Sequence, residues 1–223
     1  MSPTILPNEV LRLGPLSFTD TLLTSIAVAV AIALAAFVLV RIDRTRASLE
    51  IVYEALERTI LESVHVDARP LVPLVLTQWI FLVAANLAGV LPGVASPTRD
   101  LSITFALALV SFFAGHVYAF RAGGIAYLKH YLEPSPLLLP FNVLGELSRT
   151  IALALRLFGN MLSGHLVVAI LLLLAGLLVP VPLLLLSVLT AVVQAYIFGI
   201  LTLVFAASSM QVATRARERT RST

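Results

Sequence analysis

Arg156 stands in the stretch ALALRLFGNMLSGH, Ala152 to His165, whose other residues are mostly fit for lipid. A guanidinium keeps its charge at every biological pH, and a charge at membrane depth costs several kcal/mol. Asn142, Glu146, Arg149, Asn160 and His165 lie in the same run. At about 100° per residue, with Asn142 at zero, Glu146 falls at about 40°, Arg149 at about −20°, Arg156 at about −40° and Asn160 at about 0°. These residues form one polar stripe, which Ser163 and Gly164 extend with small side chains. His165 falls at about 140°, opposite Arg156. A fixed cation of this kind binds or displaces an anion. An imidazole either relays protons near neutral pH or serves as a hydrogen-bonded helix residue, and the spacing leaves both open.

The chain offers Arg156 no obvious counter-charge. Glu146 and Arg149 are three residues apart and can pair with each other. Glu146 is ten residues from Arg156, about 15 Å along a helix axis. No further acid occurs before Glu218. A buried charge without a partner is the expensive case, so the partner is expected on another chain or in a water-filled cavity. Ser187, Thr190 and Gln194 follow at helical spacing in the next apolar run. Taken alone they read as interhelical hydrogen-bonding groups.

The elements that must position these residues are membrane helices. Of 223 residues, 59% are hydrophobic and 12% charged, and the mean hydropathy is +1.00. Soluble domains carry roughly twice that share of charge. The reading is a single-domain, all-α membrane protein with about five spans: 21–40, 71–92, 101–120, 141–179 and 183–210. The last two exceed the roughly 20 residues a bilayer needs and should lie tilted as a hairpin across the break VPVP, Val179 to Pro182. Residues 44–65 carry Leu49, Val52, Tyr53, Leu56, Ile60 and Leu61 at three- and four-residue spacing, which predicts an amphipathic interfacial helix or a docking element. The start of the chain lacks the basic character of a signal peptide, so the first span is expected to be retained. There are no cysteines, hence no disulfide or thiolate metal site.

Basic residues set the expected orientation. With the N-terminus outside, eleven fall inside (Arg41, Arg44, Arg46, Arg58, Arg69, Arg121, Lys129, Arg215, Arg217, Arg219 and Arg221) and two outside, Arg12 and Arg99. The C-terminus is then cytoplasmic.

The segment ALALRLFGNM, Ala152 to Met161, resembles the signature of subunit a of F-type rotary ATP synthases. LPFNVLGELSRTIALALRLFGNMLSGH and LTAVVQAYIFGILTLVF resemble that family's last two long helices, in order, and WIFLVAANLAGVLPG and SPTRDLSITFALAL its preceding spans. The short N-terminal region resembles the N-type branch. The resemblance implies a non-catalytic, ion-translocating stator subunit of a bacterial inner membrane, without cofactor or nucleic acid. Its partners would be a c-ring, peripheral-stalk b subunits and the lipid bilayer. Arg156 matches the family arginine that faces the ring carboxylates between two offset half-channels. Asn160 and Gln194 match its polar neighbours, His165 an outer-channel position, and Arg149 a basic cytoplasmic position with Glu146 nearby. Ser187 departs from the family, which often has His or Glu there. His165 with water, or another acid such as Asp100, would then serve the outer channel. His165 favours protons over sodium as the coupling ion.

Two other classes compete. A secondary transporter could use Arg156 to bind an anionic substrate, but the chain is short and lacks detectable inverted repeats. An intramembrane hydrolase lacks support from any HExxH or GxSxG, and no GxxxxGK[ST] phosphate loop is present.

Overall fold

A computed structural model describes residues 9–13, 16–64, 67–90, 94–124, 127, 137, 139–176 and 180–222. Among these residues the order is a β-hairpin, β1 (Glu9–Leu13) and β2 (Leu16–Thr19), then six long helices: α1 (Asp20–Val40), α2 (Asp43–Glu62), α3 (Val72–Ala88), α4 (Leu101–Gly123), α5 (Leu139–Ala175) and α6 (Pro180–Ser222). Five are long and apolar enough to cross a membrane, all but α2. The molecule is an all-α membrane protein carrying one small hairpin.

The hairpin is an addition to the all-helical expectation. Its strands pair antiparallel from Glu9↔Thr19 to Leu13↔Leu16, with an irregularity between Glu9 and Leu11. They flank Gly14 and Pro15, residue types that favour a turn. Runs of four and five residues are too short to stand out against helical apolar patterning.

α1 is uncharged past Asp20 and leaves most of its side chains exposed, as a lipid-facing helix does. Its N-terminus is tied down. Thr19 caps it by accepting from the Leu22 amide, and buried Thr21 donates to Asp100 Oδ2 at 2.6 Å. Asp100 also caps α4, accepting from Ser102 N at 2.9 Å. One carboxylate therefore fastens two helices.

α2 is amphipathic, and its C-terminal half packs on the bundle. Ile60 is fully buried, and Leu56 and Leu61 pack beside it on Leu71, Val72 and Val75 of the α3 region. Leu49, Ile51, Val52 and Tyr53 remain exposed.

α6 is the spine of the bundle, packed along α4, α3 and α5. Small residues let it approach α4: a Cβ at Gly115 would stand 3.5 Å from the Ala206 Cα, and one at Gly123 would be 2.6 Å from the Ala213 Cβ. At Gly199 the space is taken by the Trp79 indole, which also donates to Tyr196 O at 3.2 Å and stacks on the Tyr196 ring. Close approach of this kind holds helices where the surrounding lipid gives no hydrophobic drive.

The chain breaks earlier than VPVP. α5 stops at Ala175 and Gly176 takes φ +73°, a left-handed conformation open to glycine. α6 begins at Pro180, because proline fits the first turn of a helix; residues 177–179 lie outside the described set. α6 also continues through the basic segment to Ser222 rather than ending near Met210. α3 is shorter than the apolar run suggests, and residues 91–93 of that run are likewise not described.

Candidate functional site

α5 and α6 run antiparallel side by side. Asn160 Nδ2 donates to Gln194 Oε1 at 2.8 Å, the Gly164 backbone faces Ser187, and the Arg149 guanidinium lies 4.3 Å from the centre of the Phe205 ring. This register follows from two apolar helices joined by a short break. It brings Asn160 and Gln194, 34 positions apart in sequence, into one polar pair.

Arg156 lies on the exposed face of α5 with Ala152, Leu155, Gly159 and Asn160. No acidic side chain is within ion-pair distance of it among the described residues. The inward side of the same helix is apolar: Leu153, Ala154 and Leu157 are buried against Leu82, Ala108, Ala195 and Phe198. That packing fixes the rotation of α5 and turns Arg156 outward. Gln194, only 3% exposed, sits behind this face and gives Asn160 a fixed anchor.

Two cavities border the α5–α6 seam on either side of Arg156. One, of ≈ 540 Å³, is lined by Asn86, Asn160, His165, Ser187 and Thr190. The other, of ≈ 350 Å³, is lined by Tyr127, Asn142, Glu146, Arg149, Ser208 and Ser209. Along α5 the first begins four residues after Arg156 and the second ends seven before it, about 6 and 10 Å along the axis. The polar stripe thus leads from one cavity to the other past the arginine.

In the larger cavity His165 Nδ1 lies 2.8 Å from the Met161 carbonyl. A carbonyl only accepts, so Nδ1 carries the hydrogen and Nε2 is the lone-pair atom of the neutral ring. Ser187 lines the same cavity and supplies a hydroxyl. Asp100 is not among its lining residues, being held as a cap by Thr21 and Ser102. The Asp100 loop instead braces the cavity wall: Thr98 donates to Asn86 Oδ1 at 2.6 Å, and Asn86 Nδ2 donates to Ala191 O at 3.1 Å.

At the other end Glu146 is engaged by an unexpected residue. His116 Nε2 on α4 lies 2.7 Å from Glu146 Oε2. Arg149 rests over Phe205, a cation–π contact worth about 0.5–1 kcal/mol at an exposed site. The same logic that singles out Arg156 applies to His116, an ionisable side chain inside an apolar span. Its partner, thirty residues on, is set by helix packing and has no signature in the sequence.

A family model described as "ATP synthase A chain" matches residues 17–207. "ATP synthase subunit a 1" of Hahella chejuensis is 48% identical over 170 residues, covering 74% of this chain and 73% of that protein. "ATP synthase subunit a 2" of Pelobacter propionicus is 45% identical over 170 residues, with 74% and 75% covered. "ATP synthase subunit a" of Legionella pneumophila is 47% identical over 128 residues, with 57% and 54% covered.

Proposed function

The chain belongs to the ATP synthase A chain family, and we propose that Arg156 is the fixed charge past which its coupling ion is handed to and from a carboxylate on a neighbouring ring of c subunits. Membership makes the chain an ion-translocating stator subunit of an F-type ATP synthase. The transporter alternative is not favoured. The finer reading rests on one observation: an outward-facing guanidinium without an acid beside it among the described residues, flanked by a cavity on each side.

The chemistry follows from charge. A ring carboxylate reaching Arg156 gains a counter-ion, which favours its ionised form and expels its ion. Arginine suits this role because it cannot surrender a proton and open a leak between the cavities. The His165 cavity would be the outer half-channel and the Glu146–Arg149 cavity the inner one, with Asn160 anchored by Gln194 beside the exchange point. Ser187 and His165 would line the outer path with water, and protons would be the coupling ion. Each charge crossing contributes about 2.3 kcal/mol per 100 mV. The exposed apolar face of α1 and the exposed Leu49, Ile51, Val52 and Tyr53 of α2 would meet lipid and the b subunits of the peripheral stalk. The N-terminus would lie outside the bacterial inner membrane and the basic C-terminal tail inside, in line with the distribution of arginines. We also place the chain in the N-type branch, which it resembles in its N-terminal region.

ATP-driven acidification of inverted membrane vesicles tests the arginine's role. Arg156→Ala in an assembled complex is expected to abolish it, whereas normal acidification would overturn the mechanism. Repeating the assay with sodium and a protonophore identifies the ion.

A further inference from the structure

We propose that His116 and Glu146 form a proton-binding station on the Arg149 side of Arg156, holding one transferable proton between imidazole and carboxylate. This inference rests on the proposed function and adds to it a residue on α4.

The geometry leaves little choice about the proton. His116 Nδ1 lies 2.9 Å from the Phe112 carbonyl, which can only accept, so Nδ1 carries its own hydrogen. Nε2 then faces Glu146 Oε2 at 2.7 Å. Two lone pairs at that separation would repel, so a proton lies between them, on one atom or the other. Both forms are net neutral. In uptake, a hydronium hands one proton to neutral His116 with ionised Glu146, leaving water and the loaded pair. Release returns that proton to water.

The pair also stands at a boundary. Glu146 lines both the ≈ 350 Å³ cavity and a void of ≈ 40 Å³ between α4, α5 and α6, whereas His116 lines only the void. The void can hold water, and its wall carries the hydroxyls of Ser111 and Thr202. These continue to Gln78, which donates to Ser111 at 2.8 Å and whose Oε1 is buried without a partner among the described residues. Among the described residues, the charged and titratable neighbours are these. Arg149 on α5 shares both linings. The Tyr127 ring lies 6.2 Å from the imidazole. Tyr118 and Arg121 flank His116 on α4, and α6 contributes only hydroxyls at this level.

The test is passive proton conductance, against pH, of inverted vesicles stripped of the catalytic sector and normalised to assembled complex. His116→Gln keeps a hydrogen-bonding group but cannot titrate. It is expected to lower conductance about a hundredfold, at the weak end of proton-transfer effects, and to remove one ionisation step from the pH profile. Glu146→Gln should do the same, and the double variant should be no worse than either single. If His116→Gln does not assemble, Glu146→Gln is read alone. Wild-type conductance and profile per assembled complex would overturn the station, even if less complex assembles. Acidification surviving Arg156→Ala would instead sink the proposed function, so the two failures are separable.

Discussion

Gly199→Ala puts one methyl group where the structure has an indole. A Cβ at 199 would run into Nε1 and Cδ1 of Trp79. The ring cannot retreat freely, because it is stacked on Tyr196 at 5.4 Å between centroids and donates to the Tyr196 carbonyl. Overpacking a filled interior costs about 1–3 kcal/mol, and losing the indole hydrogen bond adds about 1 kcal/mol. The expected destabilisation is therefore about 2–4 kcal/mol by those two terms. Gln194 lies two residues before Tyr196 on the same helix, so displacing α6 also strains the 2.8 Å Asn160–Gln194 bond. Unfolding of the purified chain by SDS in mixed micelles would measure the stability loss, and ATP-driven acidification the functional one. Trp79→Phe in the Gly199→Ala background shortens the ring and should recover part of both. A Gly199→Ala variant within about 0.5 kcal/mol of wild type, the range of a neutral surface change, would refute the close-packing argument.

Asn160→Ala leaves the buried Gln194 carbonyl without its donor and is expected to cost about 1–3 kcal/mol. Adding Gln194→Leu should cost less than the sum of the single changes, and strict additivity of the two in the same SDS titration would count against the pair. Asp100→Ala removes an α4 cap and the acceptor for Thr21, and should lower the SDS midpoint by about 1–3 kcal/mol while acidification per assembled complex stays normal. Lost pumping in fully assembled Asp100→Ala complex would instead make Asp100 a member of the ion path.

The sequence made the membrane helices and the polar stripe readable because both are local properties. An apolar run of sufficient length must span, and 100° per residue places Arg149, Arg156 and Asn160 on one face. The outward direction of that face was legible only indirectly, through the absence of an acid to match Arg156. What stayed hidden depends on contacts between helices. Glu146 could reach Arg149 three residues on, yet it is His116 of α4 that lies against it. Likewise, from the residues alone Gln194 read as one of several polar residues on its helix; the resemblance singled it out, and the antiparallel packing places it against Asn160. Asp100, a candidate acid for the outer channel, is occupied as the cap of α4 and as the acceptor for Thr21 of α1, 79 residues away. The helix break moved to Gly176 because a single left-handed glycine ends a helix, whereas Pro180 is tolerated in the first turn of the next.

Cysteine cross-linking tests most directly whether the Arg156 face of α5 meets the ring. The chain has no native cysteine, so single substitutions give a clean background. Leu155 is exposed beside Arg156, whereas Leu157 is fully buried in the bundle. Oxidation of membranes carrying Leu155→Cys and a cysteine next to the c-subunit carboxylate should give a disulfide-linked a–c band, and Leu157→Cys should give none. No band from position 155, or equal bands from both, would contradict the assignment of this face to the c-ring.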